Sequence, residues 1–574
     1  MEAGAPETWA IAFTEASPSL KTRGAGELAY GNGLFQLLTV VSTAIGSCLY
    51  LLHGESLRVT AGVMDHCCQR PVAFGNLSVV EWKWLAIPLD EHGERSHCLV
   101  RDPPDGSEDS LVIPCSSWEF DLAPFGNNAV SEWNLVCNRS WLHSLLRIAH
   151  ALGAMIALPA AGVAADKVGR KTVTFLTVPV VLIAGVASSL PKDFHFYVGV
   201  GTVLSAATGA LLPPLWALLY EVSPAHMVAP YAGATLVVVV VMIPATLFIA
   251  GLTSGGWTSI QLALMVPTAL LLTLYYTVSE SPAWLTARGR IAEAECVTLR
   301  AARLNRVELP RSREKIVGAV GQRQLLKPHA DGLCAARFRL RTVLSCYMWV
   351  VMGFANETFH LREGVQMADS NNALGFALSA ACIFAGFVYL PRVGVKRAVA
   401  LSGIICSTCT ALLAATYTRE RTLLREVLVT LMRIAGYSTF SVFFLMTAGM
   451  YPVTARSTAL GTALSLVRFG ETVVQLLATP QHLKRLLIAV TALLTALYAA
   501  AAEFLPDELQ GAAQQMTAVA NHGGIPSGLD LRRAMQATLE PLSKKPKEAR
   551  QKKAFEENVR GPRKTSLWSS GRQR

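Results

Sequence analysis

Two charged side chains stand inside a stretch of sequence that is otherwise built to avoid water. Arg468 and Glu471 lie within the apolar run 456–478, and Arg468 is about twelve residues into it, or roughly 18 Å along a helix. An arginine at that depth can bind a carboxylate or a sulfate through forked hydrogen bonds. Alternatively, Glu471 lies on the same helix face and neutralises Arg468. The sequence leaves open whether this pair binds a ligand or is structural.

Four further side chains in apolar runs are candidates for the same binding site. Arg433 and Arg147 either face an interior cavity or extend their long stems to the polar end of their helix. Tyr347 and Trp349 either form the aromatic wall that suits a flat organic ion or fill the core between helices. We find no P-loop, nucleophile elbow or metal-ligand spacing in the sequence. It therefore predicts no catalytic residue, no metal site and no cofactor.

The composition indicates what surrounds these charges. The 574 residues are 52% hydrophobic and 16% charged, and the mean hydropathy is +0.38, whereas soluble domains carry roughly 25% charged residues. Such a chain needs a solvent other than water for much of its surface. This excludes disordered and fibrous proteins and argues against a cytosolic enzyme. We predict a membrane protein.

Twelve runs are long and apolar enough for a membrane-spanning helix, which needs about 20 residues. The six that precede a polar gap are 34–53, 141–162, 172–190, 196–220, 229–250 and 258–278. The six that follow it are 342–361, 372–391, 398–417, 427–448, 456–478 and 483–504. The sequence therefore predicts an all-α membrane protein with twelve transmembrane helices in two six-helix halves.

Basic residues set the orientation of the predicted helices. The net charge is +11, and much of the excess lies in the segment 280–341 between the halves and in the tail from residue 541 onward. The short connections after the second and eighth helices are also basic, so we assign all of these segments, and both termini, to the cytosol. This distribution fits a membrane protein and not a nucleic-acid-binding one. The basic tail is either attracted to anionic lipid of the inner leaflet or simply solvated.

The long connection 54–140 then faces the outside of the cell. Its five cysteines are Cys67, Cys68, Cys98, Cys115 and Cys137. An oxidising compartment favours disulfides, and the odd number predicts two bridges and one free thiol, with a pairing that the sequence does not reveal. Asn76 begins a glycosylation sequon in the same segment. The sequons at Asn138 and Asn356 lie against or inside the membrane and are expected to be silent.

The loop between the second and third predicted helices carries the first specific motif. It reads Gly162-Val-Ala-Ala-Asp166-Lys167-Val-Gly169-Arg170-Lys171. Glycines allow close helix packing and a sharp turn, and Asp166 can pair with basic groups across a seam between helices. The motif resembles the gating loop of the major facilitator superfamily, which implies a latch that closes one face of the molecule.

Further motifs narrow this resemblance. They are Gly33-Leu34-Phe35-Gln36, Ser131-Glu132-Trp133-Asn134-Leu135-Val136-Cys137, Glu280-Ser281-Pro282-Ala283-Trp284-Leu285, Met450-Tyr451-Pro452 and Leu505-Pro506-Asp507. Together they resemble the organic cation/anion transporter family, solute carrier family 22, over residues from about 33 to 507. Within that family the chain is similar in character to divergent orphan members.

The resemblance implies a fold and a function. The fold is the major facilitator fold, in which two six-helix halves surround a central cavity that opens alternately to each side. The implied segments are a cytosolic N-terminus 1–33, a half 34–278 containing the extracellular loop 54–140, a cytosolic linker 279–341 with short helices, a half 342–504 and a disordered basic tail 505–574. The implied function is transport of small organic ions in the plasma membrane. Arg468 matches a position where anion-carrying relatives tend to have arginine, which favours anions.

Several positions depart from the family pattern. Thr202 and its neighbours stand where the superfamily usually places an arginine, Ala283 replaces an arginine, and Gly449 replaces an acid. The loop 391–397 lacks its usual aspartate, and Asn356 and Glu357 replace an aromatic pair. Each of the four lost charged residues removes a charge pair expected to stabilise one conformation. The lost aromatic pair counts against a substrate pocket of the family type. These departures favour an alternative, a non-transporting surface receptor or scaffold built on a transporter fold.

Overall fold

The computed structural model describes residues 30–89, 93, 95–104, 110–122, 126–190, 193–252, 256–307, 339–363, 370–415, 423–477 and 481–504. The predicted basic tail and nearly all of the predicted N-terminal segment lie outside the described residues, as does much of the predicted linker. Each of the twelve predicted apolar runs contains helix.

Eleven helices of the described residues precede the linker. They are α1 Leu34–Thr60, α2 Val79–Ala86, α3 Ala129–Glu132, α4 Ser140–Val168, α5 Arg170–Ala187, α6 Phe194–Ala210, α7 Leu212–Val222, α8 Ala225–Leu252, α9 Trp257–Ala263, α10 Met265–Thr268 and α11 Leu274–Thr277. Helices α2 and α3 belong to the long connection after α1. The others make up the first half.

The linker and the second half contribute eight more helices to the described residues. They are α12 Pro282–Ala287, α13 Ile291–Leu304, α14 Arg339–Glu363, α15 Ser370–Val393, α16 Val395–Ala415, α17 Leu423–Met450, α18 Arg456–Leu477 and α19 Gln481–Ala502. Helices α12 and α13 lie in the linker.

Proline divides two of the predicted runs. The run 196–220 is built from α6 and α7, and Pro213 and Pro214 stand at the start of α7, where the missing backbone donors would be unpaired in any case. The run 258–278 contains Pro267 and is built from α9 to α11 with a short 3₁₀ turn at Ala269–Thr273. One predicted span therefore corresponds to several helices in each case.

Eight helices of the described residues are long and apolar enough to cross a membrane by themselves. They are Leu34–Thr60, Cys137–Val168, Arg170–Ala187, Phe194–Val222, Trp257–Thr277, Lys396–Ala415, Val427–Met450 and Val453–Leu477. Shorter apolar helices occupy His226–Met242, Ala377–Phe387 and Leu486–Ala502. Helix α14 fills the remaining predicted run, and it is less apolar because it carries charged and amide side chains.

The bundle has two ends that matter for the site. We call the end from which residues 61–139 extend the loop end, and the end that joins residues 278–338 the linker end. Helices α1 and α14 run from the linker end to the loop end, and α4 runs in the opposite direction. Helix α18 begins at the linker end, since it follows the connection after α17.

Glycines bring the two halves into close contact. Gly162 of α4 faces the backbone of Ser457 in α18, and Gly461 of α18 faces the backbone of Leu158 in α4. A Cβ atom at either glycine would collide with a carbonyl oxygen of the opposite helix. The absence of a side chain therefore lets α4 and α18 approach with backbone against backbone.

The linker is tied to the first helix by one amide side chain. Asn305 follows α13, and its Oδ1 accepts a hydrogen bond from the backbone N–H of Phe35 at 2.9 Å. Its Nδ2 donates to the carbonyl of Tyr30 at 2.9 Å. Because the first N–H groups of a helix have no partner within the helix, Asn305 completes the start of α1.

Two small antiparallel ribbons organise the long connection. Strand β1 His66–Cys68 pairs with β4 Trp118–Phe120, and β2 Leu99–Asp102 pairs with β3 Leu111–Pro114. Disulfides join Cys68 to Cys115 and Cys98 to Cys137. The adjacent Cys67 is free and packs against Trp82 and Ala86. Burial raises the pKa of the Cys67 thiol above its usual range, which keeps it protonated at neutral pH.

The sequon at Asn76 lies on the surface of this connection. Asn76 is exposed, and it lies two residues before Ser78, the N-cap of α2. The third sequon residue, Ser78, caps α2 by accepting a hydrogen bond from the backbone N–H of Glu81 at 3.2 Å. The acceptor asparagine is thus held at the edge of a defined helix. Its glycosylation remains a prediction.

Candidate functional site

A cavity of about 170 Å³ lies between helices of the two halves. Helices α1, α7 and α8 of the first half and α14 and α16 to α19 of the second contribute to its wall. The aromatic side chains that line it are Tyr50, Trp216, Tyr437, Phe440, Phe444 and Tyr498. Polar groups concentrate at one place, where Tyr50, Asn356, Arg468 and Glu471 meet. A mostly apolar pocket with a few convergent polar groups is typical of a small-molecule site.

Two of the three guanidinium nitrogens of Arg468 have hydrogen-bond partners. Its Nη1 donates to Glu471 Oε2 at 2.8 Å, and its Nε donates to the Tyr50 hydroxyl. The Tyr50 ring lies beneath it, with 4.7 Å between the guanidinium carbon and the ring centroid. Among the described residues Nη2 has no hydrogen-bond partner. A Cβ added at Gly54 would lie 3.9 Å from Nη2, so α1 passes close to this nitrogen.

Glu471 is held more tightly than its partner. Its Oε1 accepts a hydrogen bond from Asn356 Nδ2 at 2.6 Å, so both of its oxygens are engaged. Its side chain is 7% exposed, against 25% for Arg468. The cavity therefore presents the cationic member of the pair, and the carboxylate is fixed from behind. Glu471 neutralises Arg468 in this structure without covering it.

The structure places the two predicted aromatic residues outside the lining of this cavity. Tyr347 donates its hydroxyl to the carbonyl of Leu494 at 3.0 Å. Trp349 is fully buried and donates its Nε1 to Thr447 Oγ1 at 3.1 Å. Both side chains pack between helices of the second half. They therefore fill the core between helices and do not form the wall of the binding site.

The two other predicted arginines have different outcomes. Arg147 lies towards the loop end, beyond the cavity lining, and its Nη2 is 3.5 Å from Glu357 Oε1. The side chain of Arg433 lies outside the described part of the chain, although its backbone belongs to α17. Among the predicted residues whose side chains the structure describes, Arg468 and Glu471 line the cavity.

Most of the aromatic residues that line the cavity were not predicted from the sequence as site residues. Trp216, Tyr437, Phe440, Phe444 and Tyr498 are spread over three helices and share no motif. A single sequence does not fix the rotation of each helix about its axis, so lining and core aromatics look alike. Tyr50 had one usable signal, since it is a polar-tipped ring about three turns from the end of α1.

The predicted gating loop forms a contact between the halves at the linker end. The carboxylate of Asp166, at the end of α4, accepts hydrogen bonds from the backbone N–H groups of Ser457 and Thr458 at 3.2 and 2.8 Å. It also accepts one from Thr458 Oγ1 at 2.7 Å. These N–H groups belong to the first turn of α18, where a negative charge is favoured by the helix dipole. An acid of the first half therefore caps a helix of the second.

A buried arginine joins this cap to a second charge pair. Arg170 Nη2 lies 3.1 Å from Asp166 Oδ1 and 3.0 Å from Glu221 Oε1. Glu221 Oε1 also lies 2.9 Å from Arg456 Nη1, and Arg456 is the first residue of α18. We call Asp166, Arg170, Glu221 and Arg456 the linker-end latch.

Glycine and glutamate shape the turn that presents Arg170. Gly169 has φ +116°, a conformation that side-chain-bearing residues rarely adopt. The carboxylate of Glu280 accepts hydrogen bonds from the backbone N–H groups of Arg170 and Lys171, each at 3.1 Å, and so caps α5. Burial raises the pKa of Glu280 above its usual range, against the opposing effect of these donors and of Arg170.

A third group of charges lies towards the loop end. Glu357 of α14 is 3.2 Å from Arg58 Nη2 and 3.5 Å from Arg147 Nη2. Arg58 Nε is in turn 3.4 Å from Glu55 Oε2 on the same helix. We call Glu55, Arg58, Arg147 and Glu357 the loop-end cluster.

Two positions that depart from the family pattern are filled by packing. Ala283 is buried in α12 and packs in a cluster with Trp284 and Val453. At Thr202 the backbone carbonyl of α6 lies directly against Gly153 of α4. The structure therefore has close contacts at these two places, where the family pattern of the sequence analysis predicts an arginine.

One histidine and two cysteines of the long connection lie close together, as metal ligands do, but the two cysteines form a disulfide. Ligand atoms of His66, Cys98 and Cys137 lie within 4.8 Å of one another. Cys98 and Cys137 are joined by a disulfide, and a metal would need them as thiolates. These three residues do not fit a metal ion in the oxidised chain.

Comparison with protein families matches residues 140–478 to the model of the Major Facilitator Superfamily. Solute carrier family 22 member 6 of Mus musculus is 26% identical over 466 residues, covering 78% of this chain and 84% of that protein. Solute carrier family 22 member 7 of Rattus norvegicus is 25% identical over 487 residues, covering 78% and 88%. The organic cation transporter protein of Drosophila melanogaster is 26% identical over 375 residues, covering 62% and 67%.

Solved structures show a similar arrangement of helices. The proton:xylose symporter XylE bound to 6-bromo-6-deoxy-D-glucose superposes with a TM-score of 0.55 at 14% identity, covering 81% of this chain and 94% of that one. A partially occluded inward open conformation of the xylose transporter XylE from E. coli gives a TM-score of 0.53 at 14% identity, covering 82% and 97%. At this identity the likeness concerns the fold alone.

Proposed function

This chain belongs to the major facilitator superfamily, and we propose that it carries small organic anions across the plasma membrane by alternating access. The predicted major facilitator fold and the resemblance to solute carrier family 22 are confirmed. The chain is a multi-pass membrane protein and a transmembrane transporter of small organic substrates. The preference for anions, the cellular membrane and the orientation in it form the proposal.

The observation that carries the preference for anions is, in the described part of the chain, the unpaired Nη2 of Arg468, a residue that lines the cavity. Its Nη2 has no partner among the described residues, and the acid that neutralises it is nearly covered. A carboxylate of a substrate can therefore reach the guanidinium without first displacing Glu471. Such charge-assisted hydrogen bonds contribute about 1.5–3 kcal/mol each.

The rest of the cavity suggests the shape of that anion. Trp216, Phe440 and Phe444 line its apolar wall, and their flat faces suit rings and aliphatic chains. A substrate with one carboxylate or sulfate on a largely apolar body satisfies both parts of the site. Relatives include a protein named as an organic cation transporter, so a cation that pairs with Glu471 is the competing assignment.

The charge pairs at the linker end support alternating access. Asp166 of the first half caps α18 of the second, and Glu221 bridges Arg170 and Arg456 across the same seam. This latch is assembled although other family positions are altered. The latch stabilises a conformation with the linker end closed, and its opening would give the second conformation that alternating access requires.

Orientation in the membrane follows from the charges and the cysteines. The basic connections of the sequence belong to the linker end, which we assign to the cytosol with both termini. The disulfide-bonded connection belongs to the loop end, which we assign to the outside of the cell.

Uptake by cells that express the full chain tests the proposed function. Labelled organic anions, cations and zwitterions of similar size are compared after surface biotinylation has established that the chain reaches the plasma membrane. We expect saturable uptake of anions that carry an apolar ring and little uptake of matched cations.

Two results would change the assignment. Saturable uptake of cations alone would overturn the role given to Arg468 and leave a transporter. Absence of uptake of all three classes, with normal surface display, would overturn transport and favour the receptor or scaffold alternative.

A further inference from the structure

Glu357 is a buried acid of the second half that pairs with the first half. Its side chain is 3% exposed, and its two oxygens lie near Arg58 of α1 and Arg147 of α4, at 3.2 and 3.5 Å. Both arginines keep about a third of their side chain exposed. Two helices of one half therefore converge on a single carboxylate of the other, on the loop-end side of the cavity.

The same turn of α14 also forms part of the cavity. Asn356, the residue before Glu357, lines it and donates to Glu471 at 2.6 Å. Glu471 in turn holds Arg468, which contacts Tyr50 of α1. The loop-end cluster is thus adjacent to the polar end of the cavity without itself forming the lining.

We propose that Glu357, Arg58 and Arg147 form a latch that closes the loop end of the cavity, and that this latch must open once in each transport cycle. The ion pairs among these three residues join the first half to the second at the loop end. The linker-end latch joins the two halves at the opposite end. In this structure both sets of ion pairs are formed.

The ion pairs of this latch can separate only if water solvates Glu357. Opening the seam separates Glu357 from both arginines, and a separated acid is stable only when water reaches it. The partly exposed arginines are already close to water. Opening therefore admits solvent to Glu357 and, past it, to the cavity. The proposal gives Glu357 a positioning role, since it lines no part of the cavity that would hold substrate.

The inference rests on the proposed function in two respects: alternating access and the assignment of the loop end to the outside of the cell. It does not need the substrate to be an anion. Its test therefore uses access of a reagent to the cavity, measured without substrate.

Cysteine labelling in intact cells measures that access. Ala355 lines the cavity and is small, so Ala355→Cys provides a reporter. A membrane-impermeant thiol reagent is applied from outside, and modification of the peptide containing residue 355 is quantified by mass spectrometry. We expect Glu357→Gln to raise the labelling rate of this reporter several-fold, because the neutral amide no longer holds Arg58 and Arg147.

Kinetic variants separate a latch from a general structural role. Because Arg147 acts through Glu357, adding Arg147→Gln to Glu357→Gln should raise labelling no further. For a transported substrate, Glu357→Gln should lower Vmax several-fold and change KM little. The control is Glu119→Gln, which removes an acid paired with Arg70 in the long connection and should leave labelling unchanged.

A second variant guards against misfolding. If Glu357→Gln is retained inside the cell, replacement of Glu55, Arg58, Arg147 and Glu357 by Gln together removes all four charges of the loop-end cluster and leaves none of them buried without a partner. Unchanged reporter labelling in the displayed variant would overturn the latch. Raised labelling in a chain that transports no anion would support the latch and count against the proposed substrate class.

Discussion

Arg468 is stabilised by three groups that act in different ways. Glu471 supplies the opposite charge, the Tyr50 hydroxyl accepts a hydrogen bond, and the Tyr50 ring faces the guanidinium. A guanidinium in an apolar cavity needs such partners, because an uncompensated charge there is costly. These contacts leave Nη2 available among the described residues, which is why one side chain can be both neutralised and able to bind.

Glu471→Gln tests whether the acid restrains the affinity of Arg468 for anions. The amide keeps the size of the side chain and removes its negative charge. The carboxylate of a bound substrate is then no longer repelled by the carboxylate of residue 471. We expect KM for a transported organic anion to fall several-fold, and Vmax to fall because release becomes slower. Saturation uptake normalised to surface display measures both. A raised KM for the anion would show that Glu471 helps to bind it.

The charged part of the site could be predicted from the sequence, whereas the aromatic part could not. Arg468 stands out because an arginine at mid-membrane costs at least about 2.5–3.5 kcal/mol on insertion scales. Tyr347 and Trp349 carry no such signal. Their position depends on which face of α14 meets its neighbours, and that is settled by packing with residues about 100 to 150 positions away in sequence.

At the scale of elements, the linker-end latch is a helix cap shared between halves. The carboxylate of Asp166 accepts hydrogen bonds from the first backbone N–H groups of α18. Within a single helix, a serine or aspartate at the N-cap supplies these acceptors. The motif predicted a pairing of Asp166 with basic groups. The structure adds that most of its hydrogen bonds go to backbone and hydroxyl groups, which a motif of side chains does not reveal.

Asp166→Asn tests that cap. The amide loses the charge and turns its NH2 group towards hydrogen-bond donors, so both the cap on α18 and the ion pair with Arg170 are weakened. The loss of the helix-dipole interaction alone is worth up to about 2 kcal/mol in a partly buried geometry. We expect a lower Vmax for uptake and a small decrease in the unfolding temperature of the purified protein. Asp193→Asn is the matched control, because Asp193 caps α6 within one half. Equal effects of the two variants on Vmax would argue against a latch.

The disulfides of the long connection follow from the strands. Neighbouring residues of a strand point to opposite faces, so Cys67 packs against α2 while Cys68 reaches Cys115. The number of bridges was predictable from the count of cysteines. The pairing was not, because it depends on the antiparallel alignment of β1 with β4.

Removal of one bridge tests this pairing. We expect the double variant Cys98→Ser, Cys137→Ser to reduce surface display, since loss of a native disulfide costs about 2–5 kcal/mol in small secreted domains. Cys67→Ser should leave display unchanged, because Cys67 is free. Surface biotinylation compares the variants. Equal losses in both would mean that Cys67 takes part in a bridge.

At the scale of the whole molecule, the arrangement of twelve helical runs was predictable and their contacts were not. Hydropathy locates each run without knowledge of its neighbours. The convergence of Arg58 and Arg147 on Glu357 joins residues as far apart as 299 positions. Only the packed bundle brings these charges together, so a single sequence gives no sign of the loop-end cluster.

Glycosylation at Asn76 tests the orientation of the whole chain. An exposed sequon in the loop-end connection should be modified if that end faces the lumen during synthesis. We expect Asn76→Gln to abolish the mass decrease that glycosidase treatment causes in the wild-type chain. Asn138→Gln should leave that decrease intact. A wild-type chain whose mass glycosidase does not change would contradict the proposed orientation.

Binding of an organic anion to Arg468 is the central claim, and uptake by Arg468 variants tests it most directly. Cells that display equal amounts of wild type, Arg468→Ala, Arg468→Lys and the surface control Arg300→Ala are compared with a labelled aromatic carboxylate. We predict that Arg468→Ala abolishes uptake and that Arg300→Ala matches wild type. Arg468→Lys should raise KM roughly tenfold or more, because an ammonium group that pairs with Glu471 has no counterpart of the separate Nη2 donor. Unchanged anion uptake by Arg468→Ala would contradict the account.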